Sequence, residues 1–185
     1  IQTEEAAKLF IQGTNPYTTD FRSTDFGHFK SPAGHDKPNQ AWTHYAYPPL
    51  TFIAAAPLAL WQQVTGQVID IRWLWLALFA AAVYLLVRST TNWDQRSRLL
   101  ILSAGNPIIW LFVITGYNDV AMAAALIAAA AAWQRHRWAW LGVLVAVAMG
   151  LKQGAWLAGM LFIAATWLLP QLRAHRQRIL KAGLI

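Results

Sequence analysis

Long apolar segments joined by short connections make up most of the chain from Pro48 onward. Six segments can be distinguished, at about residues 50–64, 71–87, 99–115, 120–133, 138–150 and 155–169. Hydrophobic residues form 57% of the chain and charged residues 12%, against about 45–50% and 25% in soluble domains. A water-soluble globule of this size could not bury so much apolar surface. Since no stretch alternates apolar and polar residues as a barrel wall does, the pattern predicts an all-α, polytopic transmembrane helical bundle.

Basic residues mark one side of this predicted bundle. Nine of them lie after the second, fourth or sixth segment: Arg88, Arg96, Arg98, Arg135, Arg137, Arg173, Arg176, Arg178 and Lys181. The intervening connections, residues 116–119 and 150–154, contain one base between them, Lys152. The positive-inside rule therefore predicts that the basic connections are cytoplasmic and the other two lie on the opposite face. The net charge of +7 does not indicate nucleic-acid binding, because the bases are spread between apolar segments.

Residues 1–47 form the one long polar stretch, with a helical pattern from Glu4 to Gln12 that ends at Gly13. We expect an extramembrane loop with short helices there, and the charge count leaves its side of the membrane open. Residues 48–170 are predicted to be the transmembrane region, and 171–185 a basic cytoplasmic tail or the start of another loop. The chain begins without Met, so we expect it to be a fragment of a longer membrane protein.

Asp119 and Lys152 are charged residues in the two connections predicted to be non-cytoplasmic. A carboxylate near membrane depth is costly and marks a candidate functional residue, although Asp119 could also act as N-cap of a helix from Val120. Lys152 needs an anion, which could be a phosphate, the Asp119 carboxylate or a lipid headgroup; snorkelling to the interface is the structural alternative. Because both residues fall on one face, they could line one site.

Three histidines, His28, His35 and His44, lie in the polar stretch. Their spacing matches no compact metal-ligand motif, so no metal site is predicted. His44 precedes the Tyr-Ala-Tyr-Pro-Pro sequence that leads into the first apolar segment. It is therefore the best of the three for general acid–base chemistry or a phosphate contact.

The order of several short motifs resembles a known family. They are Ala-Ala followed by Gly-x-Asn-Pro-Tyr (6–17), Tyr-Pro-Pro-Leu (47–50), Pro57, Asn-Pro (106–107), Gly-Tyr-Asn-Asp (116–119), Arg-x₄-Gly (137–142) and Lys152. This order resembles the integral-membrane GT-C glycosyltransferases, specifically the family 87 polyprenol-phosphate-mannose-dependent mannosyltransferase-like group. The resemblance covers nearly the whole chain.

The resemblance implies a membrane enzyme that moves a sugar, mannose in that group, from a polyprenyl-phosphate donor to a lipid, glycan or protein acceptor. The reaction is expected on the non-cytoplasmic face of a bacterial cell membrane, which favours an external position for residues 1–47. The expected partners are membrane lipid and the polyprenyl-phosphate sugar, with no further cofactor and no nucleic acid.

The resemblance also implies roles for particular residues. The catalytic Asp of this group falls a few residues before the Ala-Ala motif and is expected upstream of Ile1, which leaves Glu4, Glu5 and His44 as weaker candidates in this chain. Donor or acceptor binding is expected of Tyr47, Tyr117, Asn118, Asp119 and Lys152.

Two other classes of protein fit the apolar pattern. A transporter or flippase-like protein would show internal repeats and broken helices, and Asn106-Pro107 is a possible break, although no repeat is visible. A non-catalytic membrane subunit would explain the hydrophobicity, but it gives no reason for the aromatic polar loop or for Lys152.

Overall fold

A computed structural model describes residues 2–28 and 40–183 of the protein. Throughout these ranges the regular structure is helical, which confirms the all-α prediction. The chain divides into two compact units, Ile1–Ile71 and Arg72–Ile185. The predicted ranges 1–47, 48–170 and 171–185 concern placement relative to a membrane, and they stay predictions.

The first unit consists of two helices with short turns between them. Helix α1 spans Gln2–Ile11 and helix α2 spans Pro49–Thr65, with single 3₁₀ turns at Pro16–Thr18, Phe21–Ser23, Asp25–His28 and Gln40–Trp42. The two helices pack against each other. Ala6 and Ala7 are fully buried, and such small side chains allow close packing of α1. Gly13 follows α1 with φ of 77°, a conformation that glycine adopts without steric cost.

An aromatic cluster fills the centre of the first unit. Tyr45 is 2% exposed, and its ring lies within 6.5 Å, centroid to centroid, of the rings of Tyr17, Phe21, Tyr47 and Phe52. Most of these pairs have the edge-to-face arrangement that aromatic rings favour. The cluster joins the polar stretch to α2, because Phe52 belongs to that helix.

The second unit contains eight helices in the part of the chain that the structure describes. They are α3 (Ile71–Val87, whose first residue still belongs to the first unit), α4 (Trp93–Ser103), α5 (Pro107–Thr115), α6 (Asp119–Gln134), α7 (Trp138–Leu151), α8 (Ala155–Leu168), α9 (Pro170–Arg173) and α10 (Arg176–Gly183). Helices α6 and α7 form a hairpin, and α10 packs on α7. The three-residue connection 135–137 therefore joins two helices that pack side by side, as short helix–helix connections do.

The apolar segment predicted at 99–115 is not one helix, because it is divided between α4 and α5 at Asn106-Pro107, the possible break seen in the sequence. The Asn106 side chain accepts a hydrogen bond from the Ile108 N–H (3.0 Å), and Pro107 is the first residue of α5, so Asn-Pro starts a new helix. The two helices are bent by 43° relative to each other. In the described ranges, no single helix has the length and apolar composition needed to cross a membrane, whereas α4 and α5 together meet those criteria as a bent pair.

Helix α10 lies close to the backbone of α7. Ile179 of α10 is 1% exposed and packs in a core that includes Leu141 and Val145 of α7. A Cβ atom added to Gly142 would overlap the carbonyl oxygen of Ile179. Gly142 is therefore required by the close approach of these two helices.

We expect Gly142→Ala to displace α10 from α7, at a cost of about 1–3 kcal/mol for overpacking. The chain has no cysteine, so a single Cys introduced at Ile179 can report on burial by its rate of maleimide labelling. Labelling should be faster in the Gly142→Ala background. Gly154→Ala is the matched control, because a Cβ there has nothing within 4 Å and the backbone φ of −58° is helical. Equal labelling in both backgrounds would contradict the prediction.

Candidate active site

Asp119 and Lys152, the two charged residues predicted to lie on one face of the membrane, form an ion pair in the second unit. Lys152 Nζ lies 2.9 Å from Asp119 Oδ2, and the two side chains are 22% and 24% exposed. Asp119 is the first residue of α6, and Lys152 follows the last residue of α7. Because α6 and α7 form a hairpin, the start of one helix lies beside the end of the other. The predicted proximity of this pair is therefore present in the structure.

Asp119 is not the N-cap of α6, so that alternative is wrong. The N-cap position is occupied by Asn118, which is 6% exposed and whose carbonyl accepts hydrogen bonds from the N–H groups of Ala121 (3.1 Å) and Met122 (3.3 Å). Asp119 lies in the first turn, where the partial positive charge of the helix N-terminus stabilises a carboxylate. The helix thus holds the Asp119 carboxylate at its N-terminal end.

Lys152 leaves α7 in an extended conformation, with φ of −149° and ψ of 134°. Its backbone N–H still donates to the Ala148 carbonyl (3.1 Å), which completes the last turn of the helix. The Lys152 ammonium donates a hydrogen bond to the Asp119 carboxylate. Of the three anions considered from the sequence (a phosphate, Asp119 or a lipid headgroup), Asp119 is the one that the structure shows. The ion pair is part-buried, and a partner of opposite charge offsets the cost of removing the ammonium from water.

Arg72 is a second cation near the connection 116–119, and sequence reasoning missed it. Its Nη1 donates to the Ile114 carbonyl at the end of α5 (3.0 Å), and its aliphatic stem lies 3.7 Å from the position of a Cβ on Gly116. Gly116 has φ of 74°, which turns the chain from α5 toward α6. Segment 71–87 leads into a basic connection, so the positive-inside rule predicts its first residues on the opposite face. This signal in the sequence could have identified Arg72.

The two tyrosines predicted to bind donor or acceptor lie in different units. Tyr117 is 50% exposed in the connection 116–119, and its ring lies edge-on to Phe112 at 5.8 Å. Tyr47 belongs to the aromatic cluster of the first unit, and its carbonyl accepts a hydrogen bond from the Tyr17 hydroxyl (2.9 Å). Tyr117 therefore presents an aromatic surface to solvent beside Asp119, whereas the ring of Tyr47 is half-buried.

Glu4 and Glu5 line a cavity of about 220 Å³ in the first unit, together with Lys8 and Asp25. Glu4 Oε1 accepts a hydrogen bond from the Ile71 N–H (3.2 Å) at the start of α3, and Glu5 Oε1 lies 2.8 Å from Lys8 Nζ. Both carboxylates thus make polar contacts within the protein, and they also border a space large enough for a small polar group.

His44 is exposed, and its Nδ1 lies 3.2 Å from the Thr43 hydroxyl oxygen. Its carbonyl accepts a hydrogen bond from Gln2 Nε2 (3.1 Å), which ties the segment to α1. Its role in acid–base chemistry stays a prediction. His28 is also exposed, and His35 lies outside the described residues. Within 2–28 and 40–183, no three His, Asp or Glu side chains are grouped as metal ligands would be.

Comparison with known proteins identifies the class of protein: it is a glycosyltransferase. Residues 45–182, well over half of the chain, match the model of glycosyltransferase family 87. The chain belongs to glycosyltransferase family 87, and this confirms the resemblance to that family over residues 45–182. No curated protein and no solved structure matches the chain. The matched range includes the Asp119–Lys152 pair and begins after Glu4, Glu5 and His44.

Proposed function

We propose that the protein is an integral-membrane enzyme that transfers mannose from a polyprenyl-phosphate donor to a lipid, glycan or protein acceptor. The reaction takes place on the face opposite the basic connections, in a bacterial cell membrane. One observation carries the proposal: the ammonium of Lys152 is held by Asp119 at the end of the α6–α7 hairpin in a glycosyltransferase. Arg72 adds a second cation near the same connection.

A sugar phosphate is already an activated donor. The acceptor hydroxyl oxygen bonds to the anomeric carbon while the bond from that carbon to the phosphate oxygen breaks. The electron pair leaves with the polyprenyl phosphate, and the hydroxyl proton passes to a carboxylate base. Cations that contact the phosphate stabilise the charge that develops on it.

Lys152 and Arg72 are the cations that contact the phosphate in this proposal. An ammonium has three N–H donors and a guanidinium has five, so each can contact the protein and a phosphate together. Asp119 acts as a positioning residue, because its carboxylate fixes the direction of the Lys152 ammonium. Tyr117, half-exposed beside Asp119, offers a ring on which a sugar can stack.

The carboxylates of the first unit fit a binding role better than the role of base. Glu4 accepts the Ile71 N–H and Glu5 pairs with Lys8, so both have structural contacts. At the cavity surface their oxygens can still accept hydrogen bonds from the hydroxyls of an acceptor sugar. The Asp expected upstream of Ile1 stays the predicted base.

The bend between α4 and α5 is a feature that a transporter would also show. Membership of glycosyltransferase family 87 favours the transferase, since the match includes both of these helices.

The test uses membranes that carry the full-length protein and polyprenyl-phosphate mannose labelled in the sugar. Label should move to an acceptor fraction only when the protein is present. Polyprenyl-phosphate glucose tests the sugar, and GDP-mannose tests the need for the lipid carrier. Transfer from GDP-mannose without a polyprenyl intermediate would contradict the proposed donor, and movement of intact donor across the membrane without transfer would favour the flippase.

A further inference from the structure

A groove in the second unit combines an apolar floor with a cationic end. Its volume is about 680 Å³, within the range of about 300–1,000 Å³ typical of ligand sites. Leu85, Ala128 and Ala131 line the apolar part, and Arg135 and Arg137 line the cationic end. The groove lies at the end of the α6–α7 hairpin opposite to Asp119, so it is separate from the proposed catalytic residues.

The connection between α6 and α7 brings the two arginines together. It consists of Arg135, His136 and Arg137, and the positive φ of His136 (54°) reverses the chain. Arg135 Nη2 donates to the Leu85 carbonyl at the end of α3 (3.3 Å). The Arg135 guanidinium is thereby held at the mouth of the groove.

The charged residues that line this groove are both basic, which favours an anionic ligand. Residues 120–185 contain no Asp or Glu, while their Lys and Arg residues are Arg135, Arg137, Lys152, Arg173, Arg176, Arg178 and Lys181. Within the described residues, no carboxylate lines the groove. Trp140, also at the groove, is 63% exposed, and tryptophan favours the boundary between lipid headgroups and acyl chains.

We infer that this groove binds an anionic glycerophospholipid such as phosphatidylglycerol. The phosphate lies between Arg135 and Arg137, because guanidinium groups bind phosphate through paired N–H donors. One acyl chain lies along the alanines of α6, where the small side chains leave room for it. Basic pockets between membrane helices bind anionic headgroups in this way. The inference goes beyond the proposed function, with which it shares only the membrane setting.

The test is native mass spectrometry of the full-length protein in detergent, titrated with phosphatidylglycerol and with phosphatidylcholine of identical acyl chains. Phosphatidylglycerol should bind at least about tenfold more tightly. Arg135→Gln with Arg137→Gln should remove that preference, and phosphatidylcholine binding should not change. Ala128→Phe, which fills the apolar floor without changing charge, should weaken binding of both lipids.

Arg178→Gln with Lys181→Gln is the matched control, because it removes the same charge from exposed residues outside the groove. Equal loss in this control would mean that general positive charge explains the binding, and the inference would be wrong. Unchanged affinity after the Arg135 and Arg137 substitutions would also overturn it. So would displacement of phosphatidylglycerol by a tenfold lower concentration of polyprenyl phosphate, which would assign the groove to the carrier lipid. Sugar transfer is not measured here, so failure leaves the proposed function intact.

Discussion

Lys152→Gln is expected to lower the turnover of sugar transfer by about 10²–10³-fold, because in the proposed mechanism it removes the cation that stabilises charge on the departing phosphate. The ammonium of Lys152 is 2.9 Å from Asp119 and less than a quarter exposed, so it is held in a fixed direction. A fixed charge stabilises the transition state without reorganising during the reaction. The rate of label transfer from polyprenyl-phosphate mannose measures the effect.

A purely structural role for Lys152 has a different signature. If the residue only pairs with Asp119, then Asp119→Asn should lower activity as much as Lys152→Gln, and the double variant should recover part of it. If Lys152 contacts phosphate, Asp119→Asn should retain more activity than Lys152→Gln, and the double variant should stay inactive. Melting temperatures of all three variants separate lost stability from lost chemistry.

Lys181→Gln is the control for loss of one positive charge, since Lys181 lies on α10 at an exposed position. It should transfer sugar at the wild-type rate. Lys152→Arg keeps the charge and should retain more activity than Lys152→Gln. Normal turnover of Lys152→Gln would remove Lys152 from the mechanism.

The second unit shows how far sequence reasoning reached. The apolar segments predicted helices at 71–87, 120–133, 138–150 and 155–169, and helices α3, α6, α7 and α8 are found there. The charge distribution predicted that Asp119 and Lys152 lie on one face of the membrane, and short connections favour neighbouring helices that reverse direction. The apolar segments and the charge distribution together were therefore enough to predict that these two residues lie near each other, although the ion pair itself depends on side-chain geometry.

The errors arose where a local interaction outweighs the apolar pattern. Hydropathy is continuous through 99–115, but the Asn106 side chain caps a new helix that Pro107 begins, and this divides the segment. Arg72 was missed because a single base at the edge of an apolar segment has no motif. Its importance follows from the Ile114 carbonyl, which lies far away in the sequence.

Tyr45→Ala is expected to destabilise the first unit by about 3–5 kcal/mol, the usual cost of removing a buried aromatic side chain. Tyr45 is 2% exposed at the centre of the aromatic cluster, and its hydroxyl donates to the Thr3 hydroxyl oxygen (3.3 Å). Hydrogen exchange of the α1 amides in the full-length protein should increase strongly. Tyr84→Ala is the control, because Tyr84 is 57% exposed and lies in the second unit.

Tyr45→Phe keeps the ring and loses only the hydrogen bond, so it should cost about 0.5–1.5 kcal/mol.

Tyr45→Phe should also change how the stability of the first unit depends on pH. Burial raises the pKa of Tyr45 above its ordinary value of 10.0, so the folded protein keeps a proton that the unfolded chain releases. The corresponding stability is complete below pH 10 and is lost as the pH rises from there toward the raised pKa. Protection of α1 should therefore fall more steeply above pH 10 in the wild type than in Tyr45→Phe. Equal slopes would show that ionisation of Tyr45 does not affect the stability of the first unit, and unchanged protection in Tyr45→Ala would show that the aromatic cluster does not hold α1 in place.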